Sequence, residues 1–83
     1  MIVKVRLFAT LRTRLPEGSN GHEVEVEVSD GATPKAVIEQ MEIPLELAHL
    51  VMINGFHLLR DEVEQRALQP DDVLSIFPPI AGG

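Results

Sequence analysis

The sequence predicts a single α+β domain, a mixed sheet of four to five strands packed on one helix. Three observations carry that prediction. Two alternating apolar runs open the chain, a capped helical pattern follows, and two further apolar runs flank an Asn-Gly turn before a last strand-like run. At 83 residues the chain holds one domain and one modest core.

Taken in order, Ile2 to Phe8 alternates, with Val3, Val5 and Leu7 on one side and Lys4, Arg6 and Phe8 on the other. His22 to Val28 alternates more strictly. Val24, Val26 and Val28 face inward, Glu23, Glu25 and Glu27 outward. The segment between them contains Pro16, Gly18, Asn20 and Gly21, so the two runs read as an antiparallel hairpin with basic residues facing acidic ones. Asp30-Gly31 closes the second strand, Thr33 suits an N-cap and Pro34 the first helical position. Val37, Ile38 and Met41 then share one helix face, and Pro44 limits the helix. His49 to Ile53 reads as a buried strand, and Asn54-Gly55 as a tight turn that returns Phe56 to Leu59 antiparallel. Asp61 to Ala67 fits a short helical turn, and Val73 to Phe77 the last strand. In such a sheet the first and last strands can lie side by side at the centre.

Composition removes several function classes. Apolar residues make up 45% and charged residues 24%, the balance of an ordinary globular protein. The longest stretch without Lys, Arg, Asp or Glu, Leu47 to Leu59, is shorter than the roughly 18 residues of a membrane span. Lys4 and Arg6 interrupt any signal-peptide core, so the expectation is cytoplasmic, with no membrane partner. The absence of cysteine excludes disulfides, thiolate metal sites and a cysteine nucleophile. The net charge is −6, and the basic residues cluster early, at Lys4, Arg6, Arg12 and Arg14. Beyond them, thirteen acids face only Lys35, Arg60 and Arg66, a surface that repels nucleic acid and suits a basic protein partner or simply aids solubility. His22, His49 and His57 lack zinc-site spacing, and Ser19, Ser29 and Ser75 stand in no nucleophile elbow. No glycine cluster forms a phosphate loop, so no metal or bound cofactor is expected and no catalytic side chain stands out.

The ending carries more. Pro78 and Pro79 lack backbone N–H groups, so they leave the sheet and begin a stiff extended segment. Ile80 and Ala81 add a small apolar grip, and Gly82 and Gly83 have no Cβ to obstruct a narrow channel. Six residues beyond Phe77 reach about 20 Å when extended. Taken alone, a terminal di-glycine is weak evidence, arising by chance in roughly one chain in 200. On a diproline stalk after the last strand it means more. The reading divides the chain into a domain at 1–77 and a tail at 78–83.

These features resemble the MoaD/ThiS family of sulfur carriers. The likeness rests on Val5-Arg6-Leu7-Phe8-Ala9, Gly31-Ala32-Thr33-Pro34, Ile53-Asn54-Gly55, Asp71-Asp72-Val73 and the ending Phe77-Pro78-Pro79-Ile80-Ala81-Gly82-Gly83, and looks closest to small subunits of molybdopterin synthase. The resemblance implies the β-grasp fold of ubiquitin. It also implies a carrier that is not itself an enzyme. An E1-like adenylating enzyme consumes ATP to activate the Gly83 carboxylate, and a persulfide sulfurtransferase supplies sulfur to make a thiocarboxylate. The sulfur acceptor is the molybdopterin synthase large subunit or another sulfur-accepting synthase. Thiamine thiazole or amino-acid biosynthesis, protein modification through an isopeptide bond, and an inert interaction module remain alternatives. Strand parity puts Phe8 and Phe77 on the sheet face away from the helix, beside the root of the tail, as partner-binding residues. His57 joins them because it falls near a position where the family commonly carries an apolar contact residue.

Overall fold

A computed structural model describes residues 1–79. Five strands form one sheet: β1 (Ile2–Leu7), β2 (Glu23–Glu27), β3 (Leu50–Ile53), β4 (Phe56–His57) and β5 (Val73–Phe77), in the order β2-β1-β5-β3-β4. The central pair, β1 and β5, is parallel and every other pairing is antiparallel. The chain's first and last strands therefore meet at the centre, as expected. The core contains Val3, Val5 and Leu7 of β1, Leu74 and Ile76 of β5, and Val51 and Ile53 of β3. Val37 and Ile38 cover them from helix α1 (Pro34–Gln40).

Local chemistry sets the boundaries of α1. The Thr33 hydroxyl accepts the Ala36 N–H at 3.2 Å, and Pro34 occupies the first turn, where its missing N–H costs nothing. The helix stops before Pro44. Glu42 takes a left-handed φ of 59°, its N–H donates to the Glu39 carbonyl, and the Ile43 N–H donates to the Ile38 carbonyl. Those two bonds form a Schellman cap with glutamate where glycine is usual, sealed by the buried side chains of Ile38 and Ile43.

Elsewhere the boundaries move slightly. β1 ends at Leu7, because Ala9, at φ 52°, turns the chain into a 3₁₀ helix (Ala9–Arg14) that drops Leu11 into the core. β3 begins at Leu50, one residue later than expected, although the His49 N–H still donates to the Phe77 carbonyl at 2.9 Å. Asn54 and Gly55, at φ 52° and 88°, make the expected tight turn, but β4 spans only Phe56–His57. The expected short helical turn is α2 (Arg60–Gln65), whose first turn is fastened by the Leu59 N–H donating to Glu62 Oε1 at 2.9 Å. A second 3₁₀ turn, Leu45–Leu47, leads into β3.

Candidate functional site: the open sheet face and the root of the tail

α1 covers one face of the sheet and leaves the other open. On that open face the register aligns side chains in rows. Arg6 lies between Glu23 and Ser75, Ser75 pairs with Met52, and Met52 pairs with His57. One row further along, Leu50 pairs with Phe77, and the Phe8 N–H donates to the Ile76 carbonyl at 3.2 Å, which carries Phe8 alongside Phe77. The two rings stack with centroids 4.2 Å apart and planes 9° from parallel. His22 leans on the other side of Phe8 with its ring centroid at 4.9 Å. Each phenyl ring hides part of the other, so Phe8 and Phe77 are half-buried. Leu11 is sunk in the core and Leu15 packs against it.

One ion pair borders this apolar strip. Arg6 Nε donates to Glu23 Oε1 at 2.8 Å. That hydrogen bond is the main reason the Glu23 carboxyl sits below the usual glutamate range, with the nearby charges of Arg6, Lys4 and His22 adding to it and partial desolvation opposing it.

Sequence parity places Phe8 and Phe77 on the open face, and the strand register sets His57, opposite Met52, on the same face. Parity also would have found Leu50 and Met52, which alternate with buried Val51 and Ile53 and complete the strip as half-buried residues. Strand parity would set His22 with Val24 and Val26 on the other face, but it lies outside β2, just after the Gly21 turn, and there its ring meets Phe8. Pro78 is half-buried and Pro79 exposed where the chain leaves β5, next to this strip. Ile80, Ala81, Gly82 and Gly83, the rest of the expected tail, lie outside the described residues. Among the described residues no group of histidine and acidic side chains could hold a metal ion, and no helix is long and apolar enough to cross a membrane.

A mixed five-stranded sheet with a central parallel pair of terminal strands and a helix across one face defines a ubiquitin-like β-grasp domain. A family model described as the ThiS family matches residues 5–83, and the chain belongs to that family of MoaD/ThiS-like sulfur carriers and ubiquitin-like proteins. Among solved structures, it resembles the HVO 2177 protein of Haloferax volcanii with 29% identity and a TM-score of 0.78, covering 100% of this chain and 87% of that one. SAMP1 of Haloferax volcanii shares 21% identity at a TM-score of 0.69, with 100% of both chains covered. The complex of subunits 1 and 2 of the molybdopterin-converting factor from Helicobacter pylori contains a chain with 21% identity and a TM-score of 0.60, again with 100% of both chains covered. No curated protein matches the sequence.

Proposed function

We propose that this chain is a sulfur carrier whose reacting group is the Gly83 carboxylate, and that it supplies sulfur for molybdopterin synthesis. The observation that carries the reading is the position of the tail's root. Pro78-Pro79 follow directly on a central strand, beside the stacked Phe8 and Phe77, and the sequence then runs to Gly82-Gly83. A partner that grips the apolar strip is thereby placed next to the segment it must thread. The Helicobacter pylori neighbour, a subunit 1 in complex with a subunit 2, supports a large synthase subunit as that partner. The domain at 1–77 is the docking body and 78–83 the delivered arm.

The chemistry follows from the carboxylate's own limits. Ionised at neutral pH, it is a poor electrophile. An E1-like enzyme lets a carboxylate oxygen attack the α-phosphorus of ATP, and pyrophosphate leaves. A persulfide sulfur then attacks the acyl-adenylate carbon, and AMP leaves. A thiol of the partner cleaves the resulting acyl disulfide, becomes oxidised to a disulfide itself, and releases the Gly83 thiocarboxylate. That sulfur is nucleophilic yet tethered, and it attacks the acceptor held by the large subunit. Phe8, Phe77 and His57 dock the body. Pro78, Pro79, Ile80, Ala81 and Gly82 thread the channel.

Intact-mass measurement after incubation with ATP, an activating enzyme and a persulfide sulfurtransferase tests the reading. The expected product is heavier by the difference between sulfur and oxygen, and deletion of Gly83 abolishes it. Conjugates to lysine in place of the thiocarboxylate would assign protein modification instead. Conversion of a pterin precursor when the large subunit is added selects molybdopterin over thiazole or amino-acid synthesis.

A further inference from the structure

The sheet has a second surface that the tail chemistry does not use. β2 is an edge strand, and its hydrogen-bonding parity shows which groups are free. Met1 and Val28 exchange both backbone bonds, at 2.9 and 2.8 Å, and the Leu7 N–H donates to the His22 carbonyl at 2.9 Å. In an antiparallel ladder these bonds alternate, so His22, Val24, Val26 and Val28 direct their amide groups at β1. Glu23, Glu25 and Glu27 direct theirs outward. Glu23 spends its outward pair on Asn20, at 3.0 and 2.9 Å. The Glu27 carbonyl accepts from Gln40 Nε2 at 2.9 Å. Among the described residues the N–H and C=O of Glu25 and the N–H of Glu27 have no partner, and they are spaced as a ladder for one more strand.

A groove runs beside this ladder between β2 and the end of α1. It is open and holds about 490 Å³, and half-buried Val24, Val26 and Met41 line it. Arg14, Gln40, Glu25, Glu27 and Glu42 line it as well. At the opposite edge of the sheet, β4 is two residues long and offers a much shorter ladder. β2 is thus the edge at which an added strand gains both backbone bonds and a place for alternate side chains.

Charge decides what kind of strand fits. The residues of a new strand that lie opposite Glu25 and Glu27 would share the open face with two carboxylates, neither of which makes an ion pair among the described residues. The alternate residues would face Val24, Val26 and Met41. A second copy of this chain is disfavoured, since pairing β2 with itself brings Glu25 and Glu27 of each copy together. We propose that the β2 edge captures an extended segment of another protein in which apolar β-branched residues alternate with lysine or arginine. The added segment extends the sheet on the side away from the tail root, so this docking is independent of the sulfur chemistry.

The test is an amide and methyl NMR titration of the full chain, at low ionic strength, with a capped synthetic peptide of alternating valine and lysine. The expected shifts are saturable and centre on Glu25, Val26 and Glu27 and on the methyls of Val24 and Met41. An alternating valine–glutamate peptide does not bind. Glu25→Lys with Glu27→Lys weakens the lysine peptide roughly fivefold or more and transfers binding to the glutamate peptide. Glu25→Pro removes an outward N–H that the β1 ladder does not use and should abolish binding with the spectrum otherwise preserved. If Glu25→Pro unfolds the chain, the charge exchange alone decides. Absence of saturable shifts, shifts centred on Phe8 and Phe77, equal binding of both peptides by both forms, or concentration-dependent β2 shifts without peptide would each overturn the proposal.

Discussion

At the scale of single residues, the open face depends on one aromatic stack. Phe8 and Phe77 stack face to face, so removing either ring exposes its partner as well as losing its own contact. Phe77→Ala should cost the fold about 1 kcal/mol, because the ring is only half-buried. It should weaken a complex with a molybdopterin synthase large subunit by roughly tenfold, the behaviour of an aromatic anchor near an interface centre. Thermal melting and titration calorimetry separate the two effects, and a complex of unchanged affinity would remove the ring from the interface. Glu23 provides a pH test. Its carboxyl is held low chiefly by the Arg6 hydrogen bond, so the native state favours the ionised form. The stability it contributes is complete above the ordinary glutamate range and is lost as pH falls through the depressed native value. Arg6→Ala should move the Glu23 carboxyl titration upward in an NMR pH series. The same residues show how far sequence reading extends. Parity alone places Phe8 and Phe77 on one face, because parity is local to a strand. His22 was legible only as part of a strand, and strand parity would turn it away from Phe8; the contact arises because β2 begins one residue later, at Glu23.

At the scale of elements, the helix and strands were legible because each repeats a periodic pattern, whereas the joints depend on single left-handed residues. Thr33-Pro34 announces the start of α1, but its end is set by Glu42 in a conformation glutamate does not prefer. Glu42→Gly keeps the Schellman bonds and relieves that preference, so it should raise stability by about 1 kcal/mol, read as a higher denaturant midpoint with an unchanged slope. The 3₁₀ turns at Ala9–Arg14 and Leu45–Leu47 escaped sequence reading for a related reason. Each is too short to show a period, and each exists because a turn draws neighbouring apolar residues towards the core. The turn after β3 does more than reverse the chain. Asn54 Nδ2 donates to Asp72 Oδ1 at 3.0 Å, the Val73 N–H donates to Asn54 Oδ1 at 2.9 Å, and the Gln69 N–H donates to Asp72 Oδ2 at 2.8 Å. Asp72 is buried, and its carbonyl also accepts the Lys4 N–H. This clasp joins the β3–β4 turn to the entry of β5 and the edge of β1. Asp72→Ala removes the hydrogen bonds to the Asn54 amide and the Gln69 N–H, and should cost about 1–3 kcal/mol in a chemical melt.

At the scale of the whole molecule, the proposed function divides the chain at Phe77, and truncations test that division. β5 is a central strand, and Leu74 and Ile76 are completely buried between β1 and β3. Losing two such side chains costs about 2–5 kcal/mol each, and losing their strand removes two ladders of hydrogen bonds as well. A domain of this kind has only about 5–15 kcal/mol in total. A chain ending at Asp72 should therefore not fold. A chain ending at Phe77 keeps every strand and every core residue found among the described residues, and should melt within a few degrees of the full protein. Under the proposed function the same truncation removes the reacting carboxylate, so ATP–pyrophosphate exchange driven by an activating enzyme should disappear while the circular dichroism spectrum remains. A truncated chain that still supported exchange would show that adenylation does not occur at Gly83. One that unfolded would show that residues beyond Phe77 belong to the body, and the division at 77 would have to move.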